Sequence, residues 1–208
     1  MTATDTIAAR RRAFRQLHES GCFVIPNPWD AGSARYLQWL GFRALATTSS
    51  GAAWRHARPD GDMALAEVLV HLREMVEATS LPVNADFEAG YAKDAEGVAR
   101  NVGLAVATGV AGLSIEDATG DADRPIRELP EAVDRIRAAR RAIDAAGGDT
   151  LLVGRAENFL WGRADLDDTI RRLQAFAEVG ADVLYAPGLK TAEQVGRVVR
   201  AVAPRPVN

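Results

Sequence analysis

Short β-branched or apolar runs alternate along this chain with longer stretches whose apolar residues recur at helical spacing. The short runs predict strands at Cys22–Pro26, Ala44–Thr48, Pro82–Phe87, Gly112–Glu116, Leu151–Arg155 and Val183–Ala186, with a seventh begun at Pro206–Asn208. The periodic stretches predict helices at Asp30–Leu40, Leu65–Thr79, Ala95–Ala107, Glu131–Ala146, Leu166–Val179 and Ala192–Val202. Strands that alternate with helices imply parallel βαβ units. An internal echo supports a repeated unit. Gly41-Phe42-Arg43-Ala44-Leu45, Gly109-Val110-Ala111-Gly112-Leu113 and Gly180-Ala181-Asp182-Val183-Leu184 each follow a helical stretch. In each, a glycine able to take the left-handed conformation stops the helix and an apolar run starts the next strand.

Polar residues gather just after the strands: Asn27 and Asp30, Thr48-Ser49-Ser50, Asp86 and Glu88, Glu116-Asp117, Arg155 and Glu157. In a (β/α)8 barrel all the carboxyl ends of the strands share one mouth, where the active site lies. An open doubly wound sheet would offer a site only at its switch point. So many polar strand ends favour the barrel. The expected architecture is a single α/β TIM-barrel domain over residues 1–208, with seven strands at most. The eighth strand and helix are missing from this chain, which reads as truncated inside an element at its C-terminus. An open seam of that kind exposes strand edges that invite association. Residues 1–208 are therefore expected to be part of a longer gene product, or else an aggregation-prone chain.

Composition narrows the function classes. The chain has 208 residues, 48% hydrophobic and 25% charged, with a formal net charge of -3, which is ordinary for a globular domain. No basic block extends beyond Arg10-Arg11-Arg12, so nucleic acid is not an expected partner. No apolar run is long enough to span a bilayer and the N-terminus lacks a signal-peptide core, so the expected setting is cytoplasmic. The single cysteine, Cys22, excludes an internal disulfide and a multi-cysteine zinc site. Its position at the start of the first strand predicts a core residue at the end of the barrel opposite the mouth. His18 and His71 lie in helical patterns and read as surface or packing residues, and His56 lies in a loop. Neither lysine, Lys93 or Lys190, ends a strand, which argues against a Schiff base.

The chemistry lies in Asp86, Glu88 and Glu116. Side chains alternate along a strand, so Asp86 and Glu88 share one face, and the next strand brings Glu116 within about one strand spacing of roughly 4.8 Å. Carboxylates converging without histidine or cysteine make a hard, oxygen-only site suited to Mg²⁺ or Mn²⁺. Taken singly, any of these acids, Asp117 above all, also reads as a helix cap. Arg155 reads equally as a bidentate grip on a substrate carboxylate and as an ion-pair partner of Glu157 or Glu116. Thr48, Ser49 and Ser50 form a small polar turn able to hold an anion.

Together, Asn27-Pro28-Trp29-Asp30-Ala31-Gly32-Ser33-Ala34, Gly41-Phe42, Arg58-Pro59-Asp60-Gly61, Asp86-Phe87-Glu88-Ala89-Gly90-Tyr91, Gly109-Val110-Ala111-Gly112 with Ile115-Glu116-Asp117, and Arg155-Ala156-Glu157 resemble the isocitrate lyase/phosphoenolpyruvate mutase superfamily. The resemblance runs in order over nearly the whole chain. It implies a (β/α)8 barrel with Mg²⁺ at the mouth, assembled as a homotetramer of helix-swapped dimers. It further implies cleavage of a C–C or P–C bond beside the carbonyl of a small α-oxocarboxylate or phosphonate, through an enolate-type intermediate. By the same resemblance Asp86, Glu88 and Glu116 are metal-site acids, with Glu88 where an Asp is usual, and Asp60 joins them through water. Thr48, Ser49, Ser50 and Arg155 fall at substrate-binding positions. The loop 118–126 departs from the family. It is short and lacks the cysteine, histidine, lysine and asparagine that lyases and mutases carry there, leaving Thr119, Asp121, Asp123 and Arg124 as its candidates. The expected activity is a Mg²⁺-dependent lyase or hydrolase. The alternatives are a phosphonomutase-like P–C isomerase and a non-catalytic oxoacid-binding barrel.

Overall fold

The structure, a computed structural model, describes residues 3–208. Its strands are β1 (Leu45–Ala46), β2 (Val83–Asp86), β3 (Gly112–Glu116), β4 (Leu151–Arg155) and β5 (Val183–Tyr185). The helices are α1 (Ala3–Leu17), α2 (Ala31–Trp39), α3 (Ser49–Trp54), α4 (Leu65–Ala78), α5 (Ala95–Val106), α6 (Leu129–Ala145), α7 (Leu166–Glu178) and α8 (Ala192–Val202). The sheet runs in the order β1-β2-β3-β4-β5, parallel throughout, curled into a half-barrel. The alternation of strand and helix thus gives the expected βαβ units.

Helix-stop glycines set the spacing of these units. Gly41, Gly109 and Gly180 have φ of 89°, 93° and 108°, a left-handed conformation that costs a residue with a Cβ roughly 1 kcal/mol or more. The chain then turns back under the sheet and enters the next strand. The outward faces of the strands and the inner faces of the helices form one continuous core, including Leu72, Met75, Val102, Leu113, Ile115, Ile136 and Phe176. Each such buried side chain contributes about 1.5–3 kcal/mol of transfer free energy.

A second, smaller cluster closes the floor of the half-barrel. Phe14 from α1 packs with Ala44, Ala111, Leu151, Val153 and Val183. A Cβ on Gly112 would lie 2.7 Å from the Phe14 ring, so the glycine is what lets the plug approach the sheet. Two arginines anchor α1. Arg10 donates to the Val76 carbonyl at 2.8 Å, and Arg11 to those of Val106 and Val110 at 2.9 and 3.1 Å. The Val76 and Val106 carbonyls lie at the C-terminal ends of α4 and α5, where cations are favoured.

Several expectations change. Five strands form among the described residues, not seven, and eight-fold closure is not seen. Cys22–Pro26 is irregular, joined to β1 by an Ala46 N–H donating to the Pro26 carbonyl at 3.1 Å. Pro26 accepts there but has no N–H to return the bond, so the pairing with β1 does not continue as a ladder at that residue. Cys22 is exposed rather than in the core. The stretch 206–208 makes a single parallel bridge, Val207 to Leu184. Thr48–Ser50 opens a short helix instead of a simple turn. Among the described residues no helix is long and apolar enough to cross a membrane.

Candidate active site

The mouth is built by alternation and register. In β2 the residues Asn84 and Asp86 face the lumen while Val83 and Ala85 are buried in the outer core. In β3 the inward set is Ser114 and Glu116, and in β4 it is Val153 and Arg155, continued past the strand end by Glu157. Asp86 is level with Ser114, Glu116 with Arg155, and Arg155 with Tyr185. These side chains line one cavity of about 800 Å³, with Thr48, Ser49, Ser50, Asp60, Glu88 and Thr119 on its walls.

Arg155 sits at the centre. Its Nε donates to Glu157, its Nη1 lies 3.5 Å from Asp86 Oδ1, and its Nε lies 3.6 Å from Glu116 Oε2. The guanidinium stacks over the Tyr185 ring at 5.1 Å. Burial alone would depress its pKa, but Asp86, Glu116 and Glu157 outweigh burial and raise it. The acids feel the reverse. Burial pushes Glu116 well above the usual carboxylate range although Arg155 pulls it down, and Glu157 shifts the same way. Arg155 is thus already ion-paired, and the charge around it is strongly negative.

Glu88 is held by its backbone. Past Phe87, which is buried outward, the chain takes φ of 44° at Glu88, 84° at Gly90 and 52° at Tyr91. A left-handed glutamate costs about 1–2 kcal/mol, so the turn is imposed by its surroundings. It swings Tyr91 back so that its hydroxyl donates to Glu88 Oε1. Burial, with Asp86 and Asp60 adding to it, raises the Glu88 pKa against that hydrogen bond.

The polar turn is also occupied by the acids. The Ser49 N–H donates to Asp86 Oδ2 at 2.9 Å, and Ser50 Oγ donates to Asp60 Oδ2 at 2.6 Å. Thr48 caps α3, its Oγ1 accepting from the Gly51 N–H at 3.3 Å. Asp86, Glu88, Glu116, Asp60, Thr48, Ser49, Ser50 and Arg155 are therefore brought together. The loop is different. Thr119 lines the cavity, but its hydroxyl donates to the Arg124 carbonyl at 2.5 Å and accepts from the Asp121 N–H at 3.0 Å. Arg124, Asp121 and Asp123 are exposed and do not line the cavity.

Asp117 is not a helix cap. It is buried beneath the mouth, where Oδ1 accepts from the Glu157 N–H at 2.8 Å and Oδ2 from Arg172 at 3.0 Å. Arg172 also donates to the Arg127 carbonyl at 2.8 Å. This clamp ties the ends of β3 and β4 to α7 and fixes the backbone that carries Glu157.

The donor set suits a hard divalent cation: Asp86, Glu88, Glu116 and Asp60 offer only oxygen, and burial leaves two of these acids at raised pKa for want of positive charge. As the side chains stand, no group of three or more acids among the described residues is arranged around a single point. Asp86 and Glu116 both face Arg155, at 3.5 and 3.6 Å.

Glu157 is expected from the sequence as a strand-end acid and partner of Arg155, and the Arg155–Glu157 ion pair bears this out; Tyr185 and Tyr91 join the site without being expected there. The period-two rule that selects Asp86 and Glu88 also selects Arg155 and Glu157, so that signal was present. Tyr185 follows from register with Arg155. Tyr91 reaches Glu88 through left-handed turns that no spacing rule predicts.

A profile of the phosphoenolpyruvate phosphomutase family matches residues 14–208. The oxaloacetate decarboxylase of Bradyrhizobium diazoefficiens is 33% identical over 202 residues, covering 93% of this chain and 68% of that protein. The 2-methylisocitrate lyase of Escherichia coli is 34% identical over 184 residues, covering 84% and 60%. A crystal structure of a putative lyase/mutase from Burkholderia cenocepacia superposes with a TM-score of 0.96 at 49% identity, covering 98% of this chain and 74% of that one.

Proposed function

Since the chain belongs to the isocitrate lyase/phosphoenolpyruvate mutase superfamily, a group of lyases and mutases, we propose that it cleaves a C–C or P–C bond beside the carbonyl of a small α-oxocarboxylate, through an enolate-type intermediate. The observation that carries this reading is a guanidinium surrounded by an excess of carboxylates on the floor of an open cavity.

Asp86, Glu88 and Glu116 would hold Mg²⁺ or Mn²⁺, with Asp60 joining through water. A divalent cation there supplies Lewis acidity toward the oxoacid's oxygens. The residues of the chain do the rest. The Ser49 N–H and Thr47 Oγ1, which accepts from the Asp86 N–H at 2.9 Å, fix the Asp86 carboxylate and its backbone. Glu157 holds the Arg155 guanidinium by Nε and Asp86 lies 3.5 Å from Nη1, so a substrate carboxylate or the developing enolate oxygen would be met at Nη2, and at Nη1 once Asp86 turns to the cation. Fixed positive charge directed at a forming oxyanion is commonly the largest catalytic contribution. Ser50 and Asp60 sit at the rim, Thr48 beside them, where an oxoacid head enters. Association with further copies of the chain belongs to this reading. On α2, Tyr36 and Trp39 stack at 5.7 Å and stand 60% and 77% exposed.

Deuterium exchange into the C3 position of pyruvate and oxaloacetate, with and without Mg²⁺, tests the proposal. Mg²⁺-dependent exchange that Arg155→Lys reduces at least tenfold is expected, because lysine keeps the charge and loses the fork. Oxoacid binding without exchange would identify a non-catalytic member. Loss of melting temperature in step with loss of exchange would make Arg155 a structural ion-pair residue instead.

A further inference from the structure

The cavity has two unlike walls. One side carries Asp86, Glu116 and Glu157, with Glu88 and Asp60 above them, against Arg155, the one cation among the described residues that line the cavity. The loop contributes Ala118, Thr119 and Gly120, none of them charged. In the loop after the neighbouring β4 stand Leu160 and Trp161, 54% and 41% exposed. Large side chains left that open on a cavity rim offer apolar area to whatever enters.

The apolar pair is held firmly. The Glu157 carbonyl accepts from the N–H groups of Leu160 and Trp161 at 3.1 and 3.2 Å, and the Arg163 N–H closes on the Asn158 carbonyl at 2.8 Å. Asn158 itself is buried and donates to Asp168 at 2.9 Å. From the other side Gly188, with φ of 86°, leaves room that a Cβ would fill at 3.0 Å from Phe159 and 3.3 Å from Leu160. Leu160 and Trp161 therefore ride on the same turn as Glu157, the partner of Arg155. The distance between the oxoacid grip and the apolar wall is set by the fold.

We infer that the substrate is a 2-oxo acid with one carboxylate beside Arg155 and an apolar arm on the far side of the bond that breaks, lying on Leu160 and Trp161, as in a 4-hydroxy-2-oxo acid whose arm departs as an aldehyde while the bonding pair stays on the enolate. This rests on the oxoacid reading above and narrows it. A second carboxylate on the arm would find no cation on the wall and would face an excess of negative charge. Each methylene laid on Leu160 and Trp161 contributes roughly fourfold in affinity.

A matched pair of ligands tests the inference: 2-oxohexanoate and 2-oxoadipate have the same chain length and end in a methyl group and a carboxylate. Calorimetric titration of the protein in excess Mg²⁺ is expected to show 2-oxohexanoate binding at least about tenfold more tightly. Trp161→Ala is expected to shrink that ratio severalfold, and Leu160→Arg to shift it toward 2-oxoadipate by placing a cation on the wall. Both residues are exposed, and a melting curve of each variant establishes that it folds. Equal or tighter binding of 2-oxoadipate to the parent protein, binding of neither acid, or a ratio that neither variant moves would overturn the inference. C3 deuterium exchange is measured on the same samples. The expected preference in binding without exchange would refute the cleavage chemistry and leave the apolar subsite standing.

Discussion

Arg155→Met removes the charge that holds the mouth together and keeps most of the side chain's volume. Arg155 lies 3.5 Å from Asp86 and 3.6 Å from Glu116. Each of these pairs gains roughly 5 kcal/mol at an effective dielectric constant of about 20, and Glu157 is closer still. Burying the ions costs several kcal/mol each and cancels much of that gain. What the substitution exposes is the other half of the balance: the acids stay buried, with their partner gone. A loss of about 3–5 kcal/mol is therefore expected for the metal-free protein at neutral pH or above.

The pH dependence gives the test its sign. Glu116 and Glu157 already titrate above the ordinary range because burial outweighs the pull of Arg155. Without the guanidinium they move higher. A carboxyl whose folded pKa exceeds its unfolded value stabilises the fold at low pH, and that contribution is lost as pH rises through the folded value. The variant should be closest to the parent near about pH 5 and furthest from it near about pH 8. Urea unfolding at both pH values, with chelator and then with excess Mg²⁺, measures this. Mg²⁺ should return more stability to the variant than to the parent, because a ligand that binds only the folded state stabilises by mass action. A deficit that is the same at both pH values and indifferent to Mg²⁺ would refute the account of Arg155 as the counter-charge of Asp86, Glu116 and Glu157.

Asp86→Asn keeps an acceptor for the Ser49 N–H and removes one charge, so Mg²⁺ affinity by calorimetry should fall at least tenfold while the melting temperature changes little. Glu88→Gly releases a left-handed residue at φ 44° and should stabilise the metal-free backbone by up to about 1 kcal/mol while weakening Mg²⁺ binding; a loss of stability would show that the Tyr91 hydrogen bond outweighs the strain. His71 is 2% exposed with neither ring nitrogen paired among the described residues, and burial, aided by Arg55, lowers its pKa to about 4. A histidine with a depressed folded pKa loses stability as pH falls below its ordinary value of about 6.5 and on toward 4. His71→Leu should therefore flatten the decline in melting temperature between about pH 6.5 and 4, and an unchanged slope would show that the ring is not buried as a neutral group.

What could be read from the sequence was whatever one local rule decides. β3 and β4 are predicted to the residue because each is a short, largely apolar run that follows a glycine-bearing turn and ends on a charged residue. Cys22–Pro26 looks the same by composition and fails because pairing is not a composition property: the Pro26 carbonyl accepts from the Ala46 N–H, but Pro26 has no N–H to return the bond. The sequence shows a helical pattern around His18 but no bounds for α1, because its apolar side is thin among the arginines and much of its support is tertiary, with Phe14 filling the floor and Arg10 and Arg11 capping two other helices. Thr48-Ser49-Ser50 is ambiguous for a similar reason, since the residues that favour turns also favour N-caps.

The pair Glu116-Asp117 shows how the two levels meet. Alternation sends neighbouring side chains to opposite faces of β3, so one acid enters the lumen and the other goes beneath the mouth. Asp117 is completed there by Arg172, a residue 55 positions away that no local pattern connects to it. The outward pair is nearly fully buried, with side chains 0% and 7% exposed, and it holds the N–H of Glu157. Glu157 holds Arg155, and Arg155 faces Glu116 and Asp86. The geometry of the inward acids is thus set from behind, by an ion pair outside the cavity. Both acids of that dipeptide serve the site, one as a candidate ligand and the other as the support that fixes its neighbours.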